Sequence, residues 1–343
     1  MAGDPPRERL IPLAVPCFGE REVEAVAEVV RSGWVSTAGP ATAQLERAFA
    51  ERLGAPHAVA VASGTVAIQL ALLALGVRPG DAVLLPALTF VAPANAVRHV
   101  GAEPLLLDVD PVTGHLDPQA VVAFVREECE RTPAGLVVRE SGRRLGALLP
   151  VHLLGHGIDL RELVGVAGEL GVPVLEDATE GLGATIGGLP LGRIGAAGCF
   201  SFHGNKLITS GGGGMVVTGS AELAERVRYL SLQAKEPGIE YVHGEVGFNA
   251  RMPGLSAALG LAQLESLDRL LDAKRRIART YRDGLADIPG IAPLLPAAGV
   301  DSAWWLFTVL VDEAAAGLGS RALLAALDGR GIQARPQWLP LPE

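Results

Sequence analysis

The sequence predicts a layered α/β fold, with a large domain on a mostly parallel sheet and a smaller α+β unit after it. Three observations carry that expectation. Short apolar runs alternate with helical patterns from the start to about Asn249. Most of those runs are continuously apolar, as strands are when helices cover both faces of a parallel sheet. Beyond Asn249 the pattern changes to a charge-rich amphipathic helix and a short mixed segment.

Taken in order, the strand readings are Val59–Ala62, Ala82–Leu85, Pro104–Leu107, Leu145–Pro150, Pro173–Leu175, Cys199–Phe202 and Met215–Thr218. Helical patterns fill the intervals: Glu20–Ser32, Thr42–Leu53, Thr65–Leu75, Ala92–Val100, Pro118–Arg131, Asp159–Leu170 and Glu222–Leu232. The uncharged stretch Ala58–Val77 has the length of a membrane span, but Ser63-Gly64-Thr65 divides it into a β-branched piece and an Ala/Leu-rich piece. It reads as strand, turn and buried helix. Leu255, Leu259, Ala262, Leu267, Leu271, Ile277 and Tyr281 then lie on one face of a single long helix. Trp304–Val311 reads as a strand, Ser320–Arg330 as a helix and Ile332–Arg335 as a strand.

Composition narrows the function. The chain has 343 residues, of which 49% are hydrophobic and 20% charged, enough to bury a large core. The net charge of −9 argues against a general nucleic-acid binder. Cys17, Cys129 and Cys199 have neither metal-ligand spacing nor an even count, which suits a reducing compartment. His152 and His156 stand four apart at a strand end with no third ligand nearby, so no metal is expected. The charged start lacks the apolar region of a secretory signal, and a cytoplasmic protein without membrane contact is expected.

Ligands of open α/β sheets bind at the carboxyl ends of strands, so the polar residues there matter most. Ser63-Gly64-Thr65 follows a strand and opens a helix, where free N–H groups and the helix dipole suit an anion. Alone it is equally a helix cap. Phe90, after the strand ending at Leu85, could stack on a planar ring or simply fill core. Asp177, at the end of Glu176-Asp177, could cap a helix, bind a metal or partner a cationic ring nitrogen. Lys206 stands in the segment Ser201-Phe-His-Gly-Asn-Lys206, close to the glycine run 211–214. The chain has 26 arginines and three lysines, Lys206, Lys235 and Lys274, so surfaces are served by arginine. A lone lysine in an apolar, glycine-rich segment is a candidate nucleophile. Anion cradle, ring stacker, carboxylate and amine together are what pyridoxal phosphate requires.

At this point the chain resembles the DegT/StrS family of nucleotide-sugar aminotransferases, enzymes of the fold-type I pyridoxal-phosphate class. The resemblance rests on Gly33-Trp-Val-Ser36, Ser63-Gly-Thr65, Pro86-Ala-Leu-Thr-Phe-Val91, Pro150-Val-His-Leu153, Glu176-Asp-Ala178, Phe200-Ser-Phe-His-Gly-Asn-Lys206, Gly212-Gly-Gly-Met215 and Gly247-Phe-Asn-Ala-Arg251. These run in order from about Ile11 to the end. The resemblance implies that Lys206 binds the cofactor as a Schiff base and that Asp177 faces the pyridine nitrogen. It further implies that Phe90 stacks on the ring and that Gly64, Thr65 and Ser201 bind the phosphate. Asn249 would reach the phosphate of the neighbouring subunit, which makes a homodimer with shared sites. Glu180 stands where many members carry Gln near the ring hydroxyl. Trp34, His203, His243 and Arg251 are weaker candidates for contact with the sugar nucleotide.

The implied reaction moves the amino group of L-glutamate to C4 of a nucleotide-linked 4-keto-6-deoxy sugar. Gln233-Ala-Lys-Glu-Pro-Gly-Ile-Glu-Tyr-Val-His243 is similar to the branch acting on UDP-linked N-acetylhexosamines in legionaminic acid biosynthesis, with GDP-perosamine synthases as the alternative. A dehydratase of the same family has histidine in place of the lysine, so Lys206 argues against that reading. The intact Lys206 and Asp177 argue equally against a non-catalytic regulatory protein on the same scaffold. By resemblance, residues 11–250 form the cofactor-binding domain and 251–343 a small domain. Leu154 departs from a usual Tyr, and the end at Arg335-Pro-Gln-Trp-Leu-Pro-Leu-Pro-Glu343 falls short of the family's pattern, so the small domain is expected to be incomplete.

Overall fold

A computed structural model describes residues 10–341. Seven strands form the central sheet, in chain order His57–Val61, Ala82–Pro86, Glu103–Leu107, Leu145–Leu148, Leu175–Asp177, Ala197–Ser201 and Gly214–Thr218. Four of them lie side by side in the order 57–61, 214–218, 197–201, 175–177, and three more in the order 145–148, 82–86, 103–107. Parallel bridges at Leu148–Val174 and Val151–Asp177 join the two groups. Only Gly214–Thr218 runs antiparallel to its neighbours. It returns from the strand 197–201 through a loop rather than a crossover helix, as an antiparallel neighbour can. That loop carries Lys206.

Alternation along the strands explains how both faces are buried. Val59, Val61 and Val216 enter one core cluster, while Ala58, Ala60, Met215 and Val217 enter another. The first face is covered by α3 (Gly64–Ala74), α4 (Val91–His99) and α7 (Ala221–Ser231), through residues such as Ile68, Leu70, Val97 and Val227. The second is covered by α2 (Pro40–Leu53) and α8 (Gly254–Glu265), through Leu45, Phe49 and Ala257. The remaining helices of the large layer are α1 (Glu20–Ser32), α5 (Pro118–Glu128) and α6 (Arg161–Leu170). The stretch Ala58–Val77 is strand then helix, and among the described residues no helix is long and apolar enough to cross a membrane.

Four element expectations need correction. The long helix is two, α8 and α9 (Leu267–Leu285), with Ser266 at φ −92° and ψ 0° between them. The break lets Leu264 and Leu267 both enter the core, and only α9 carries the charged face. The helix from Pro118 stops at Glu128 because Cys129–Thr132 pairs with Gly135–Val138 as a hairpin. The strand expected over Trp304–Val311 is confined to Val309–Val311, paired with Ile291–Pro293, because Trp304 turns at φ 50°. Ile332–Arg335 makes no strand; it contributes one parallel bridge, Ile11–Ile332, against the opposite end of the chain.

Candidate active site

The strand ends open into one cavity of about 730 Å³. Gly64, Thr65, Phe90, Asp177, Glu180, Ser201, His203 and Lys206 all line it. Its opposite wall comes from the C-terminal part, including Trp305, Arg321, Arg335 and Trp338.

Each polar group is set by its element. Ser63 caps α3, its hydroxyl accepting the Val66 N–H at 3.2 Å. The first N–H groups of the helix, on Gly64 and Thr65, have no intrahelical acceptor and face the cavity end of α3. Gly64 cannot be replaced cheaply: a Cβ there would lie 2.9 Å from the Ser201 Cβ and 3.1 Å from the Thr179 methyl. Lacking a side chain, Gly64 brings the start of α3 close against Ser201, whose hydroxyl lies 3.2 Å from the same Cβ position. Phe90 opens α4 and stays half exposed, its ring centre 5.8 Å from that of Trp338. A large ring lining a cavity in that state offers a face for a planar ligand.

The two strand-end carboxylates differ sharply. Glu176 is fully buried and shares a 2.9 Å hydrogen bond with His152 Nε2. It also accepts N–H bonds from Gly192 at 2.9 Å, and from Ile194 and Gly195 at 2.6 Å. Burial alone would push this carboxyl up, but its donors prevail and hold it below the usual range. Asp177 accepts the Thr179 N–H at 3.0 Å, and burial pushes its carboxyl up. A buried carboxylate short of donors at a cavity wall suits a cationic ring nitrogen.

Lys206 Nζ lies 3.5 Å from Glu180 Oε1 and 4.0 Å from the centre of the Trp305 ring. Glu180 also accepts the Leu154 N–H at 2.8 Å. Burial pushes its carboxyl up to about 7, with Lys206 and the Leu154 N–H pulling the other way. Leu154, at φ 60°, is held in the left-handed region to make that contact. The donor set therefore fits pyridoxal phosphate: an anion cradle, a ring platform, a carboxylate lacking a cation and an amine in one space.

Other expected residues lie elsewhere in the single chain. Asn249 is exposed and does not line the cavity. Trp34, also exposed, lines a separate 330 Å³ cavity between α1, α2 and α8. His243 is exposed, with Nδ1 2.8 Å from the Gln233 carbonyl. Arg251 donates to the Ala60 carbonyl and pairs with the buried Glu46, which Arg228 also contacts, so it sits in a packed ion network outside the cavity. His203 lines the cavity and contacts Asn205 Oδ1 at 3.1 Å. Sequence reading missed Trp305, Arg321, Arg335 and Trp338. The rule that singled out Phe90, an aromatic at the carboxyl end of a strand, does not reach Trp305, which reads as part of a strand, and in the structure Trp338 follows none.

Known proteins resemble this chain along most of its length. The family model described as the DegT/DnrJ/EryC1/StrS aminotransferase family matches residues 16–342. EpsN of Bacillus subtilis (strain 168), which carries the name of a pyridoxal phosphate-dependent aminotransferase, is 38% identical over 331 residues, 96% of this chain and 81% of its own. GDP-perosamine synthase of Caulobacter vibrioides is 38% identical over 335 residues, 96% of this chain and 85% of its own. The crystal structure of DesI in the presence of its TDP-sugar product aligns with a TM-score of 0.84 at 32% identity, covering 97% of this chain and 80% of that one. With a match along nearly its whole length and a cavity that gathers the expected groups, this chain belongs to the DegT/DnrJ/EryC1/StrS aminotransferase family.

Proposed function

We propose that this chain moves the amino group of L-glutamate to C4 of a nucleotide-linked 4-keto-6-deoxy sugar, with pyridoxal phosphate as its cofactor. The observation that carries the reading is the meeting of Lys206, Asp177, Phe90 and the Gly64–Thr65 helix start in one cavity. The bound cofactor supplies an electron sink for the carbon that loses its proton. Asp177 keeps a proton on the ring nitrogen. Phe90 would offer its face to the ring and exclude water from that side. The N–H groups of Gly64 and Thr65, with the Ser201 hydroxyl, hold the phosphate, and Glu180 stands beside the amine. Lys206 Nζ would hold the cofactor and, when free of it, would serve as the general acid and base at the reacting carbons.

The opposite wall suits anionic substrates. Arg321 and Arg335 are exposed on it, and among the described residues neither forms an ion pair. Glutamate brings two carboxylates, and a nucleotide sugar a diphosphate. Relatives named for a GDP sugar and a TDP sugar favour the nucleotide-linked acceptor. The 233–243 segment and Gly33–Ser36 favour a UDP-linked N-acetylhexosamine of the legionaminic type. The 38% identity to GDP-perosamine synthase keeps that activity as the second reading.

The proposed active unit is a homodimer in which Asn249 serves the partner's phosphate site. Ile239, Tyr241 and Val246, near Asn249, are 91%, 84% and 84% exposed, as interface residues are in a lone chain. Residues 11–250 form the proposed cofactor domain and 251–343 the small one. The proposed setting is cytoplasmic synthesis of surface polysaccharide or glycan precursors.

The test loads the protein with pyridoxal phosphate and adds saturating L-glutamate alone. The cofactor's visible absorbance should fall as the amine is taken up. A panel of UDP- and GDP-linked 4-keto sugars should then restore it, the UDP form fastest. A spectrum unmoved by glutamate removes the donor assignment, and faster recovery with the GDP form selects the perosamine reading.

A further inference from the structure

A lysine side chain has four rotatable carbons, so an amine that must act repeatedly needs a place to rest. Among the described residues the one hydrogen-bond partner of Lys206 Nζ is Glu180 Oε1 at 3.5 Å, the outer limit of a hydrogen bond. The Trp305 ring centre at 4.0 Å is well inside the reach over which an aromatic face attracts an ammonium. Trp305 is 4% exposed, so little water competes there.

Trp305 is held through its ring and through its backbone. Its Nε1–H donates to the carbonyl of Asn205, the residue before Lys206, at 2.7 Å. Its own carbonyl accepts from Lys274 Nζ at 3.0 Å. The preceding Trp304 sits at φ 50°, a region a bulky side chain rarely enters, with its N–H donating to Ser302 Oγ at 2.9 Å. Gly155 packs so closely that a Cβ on it would lie 2.7 Å from the Trp305 backbone nitrogen. Backbone strain of this kind persists where the surroundings over-determine it, and it concentrates at functional sites.

We propose that the Trp305 indole face is the resting platform of the Lys206 amine whenever that amine is uncombined, and that Trp305 is a positioning residue for this lysine. The inference rests on the role given to Lys206 above. An aromatic face suits the task because it attracts a cation without offering a lone pair that would take its proton. A tight carboxylate pair would hold the amine more firmly and compete for that proton. The platform keeps Nζ within the cavity and beside Glu180.

The experiment contrasts Trp305→Phe, which keeps an aromatic face, with Trp305→Met, which fills space without one. The first readout needs no cofactor. Cofactor-free protein is labelled with trace acetic anhydride, and Lys206, Lys235 and Lys274 are quantified by peptide mass spectrometry. Labelling of Lys206 relative to Lys235 should rise about three- to tenfold in Trp305→Met and stay within about twofold of wild type in Trp305→Phe. The second readout is steady-state kinetics of the loaded enzyme. Trp305→Met should lower kcat by a similar factor with KM for glutamate nearly unchanged, and Trp305→Phe should restore most of it. If Trp305→Met does not fold, Trp305→Tyr against Trp305→Leu repeats the contrast. Equal behaviour of the aromatic and aliphatic variants in both readouts would show that Trp305 only fills space. A wrong role for Lys206 itself is distinguished separately, because borohydride would then fail to fix the cofactor on Lys206 in the wild-type protein.

Discussion

Glu176 and Asp177 are neighbours on one strand, both buried, and the chain treats them in opposite ways. Strand alternation sends their side chains to opposite faces. On one face Glu176 meets three N–H groups and His152, and its charge is satisfied within the fold. On the other, Asp177 lines the cavity with its carboxyl pushed up by burial. The difference teaches how to separate structural from functional carboxylates. A buried acid whose donors all come from its own chain belongs to the fold, and one whose donors fall short is arranged for a charge brought from outside.

The sharpest way to break that comparison is to neutralise each acid in turn. Asp177→Asn should lower aminotransfer by about 10²–10⁴-fold, because an amide cannot hold the ring nitrogen's proton. Cofactor-free Asp177→Asn should melt at or above the wild-type temperature, since it removes a buried charge. Near-normal turnover in that variant would make Asp177 a cap and nothing more. Glu176→Gln should do the reverse. Cofactor-free, it should lose on the order of 2–4 kcal/mol in denaturant titration, because three backbone N–H groups lose a charged acceptor. A stability unchanged by Glu176→Gln would erase the distinction drawn here.

Glu180 sharpens the comparison, because it belongs to the cavity yet has partners in the chain. Its folded value of about 7 lies above the ordinary 4.5, so the folded state binds its proton more tightly than the unfolded chain does. The stabilisation from that proton is complete below about pH 4.5 and disappears as pH rises through about 7. Glu180→Gln removes this titration. Its melting advantage over wild type, measured without cofactor, should therefore grow between pH 5 and pH 8, by roughly 1–3 kcal/mol or a few degrees. An advantage flat with pH would mean that the carboxyl does not titrate in this range.

The central sheet was legible because most of its strands are buried on both faces and so read as continuous apolar runs. Lys206 stood out because the surface is served by arginine, and Asp177 because a carboxylate at a strand end needs an explanation. The hairpin from Cys129 to Val138 was not legible, being short and half polar. Trp305 was hidden for a different reason. Trp304–Val311 has the apolar character of a strand, and the turn at Trp304 uses a left-handed tryptophan with no Gly, Pro or Asn to announce it. The break at Ser266 was equally silent, because apolar residues continue from Leu264 to Leu267 with no Gly or Pro between them. Asn249, Trp34 and His243 came from resemblance rather than from pattern, and in one chain they face outward.

The central claim is that one lysine carries the cofactor. Protein loaded with pyridoxal phosphate, reduced with borohydride and digested should yield a single pyridoxyl peptide, bearing the group on Lys206. The group on Lys235, which contacts the Gly238 carbonyl, or on Lys274, which contacts Trp305, would contradict the account.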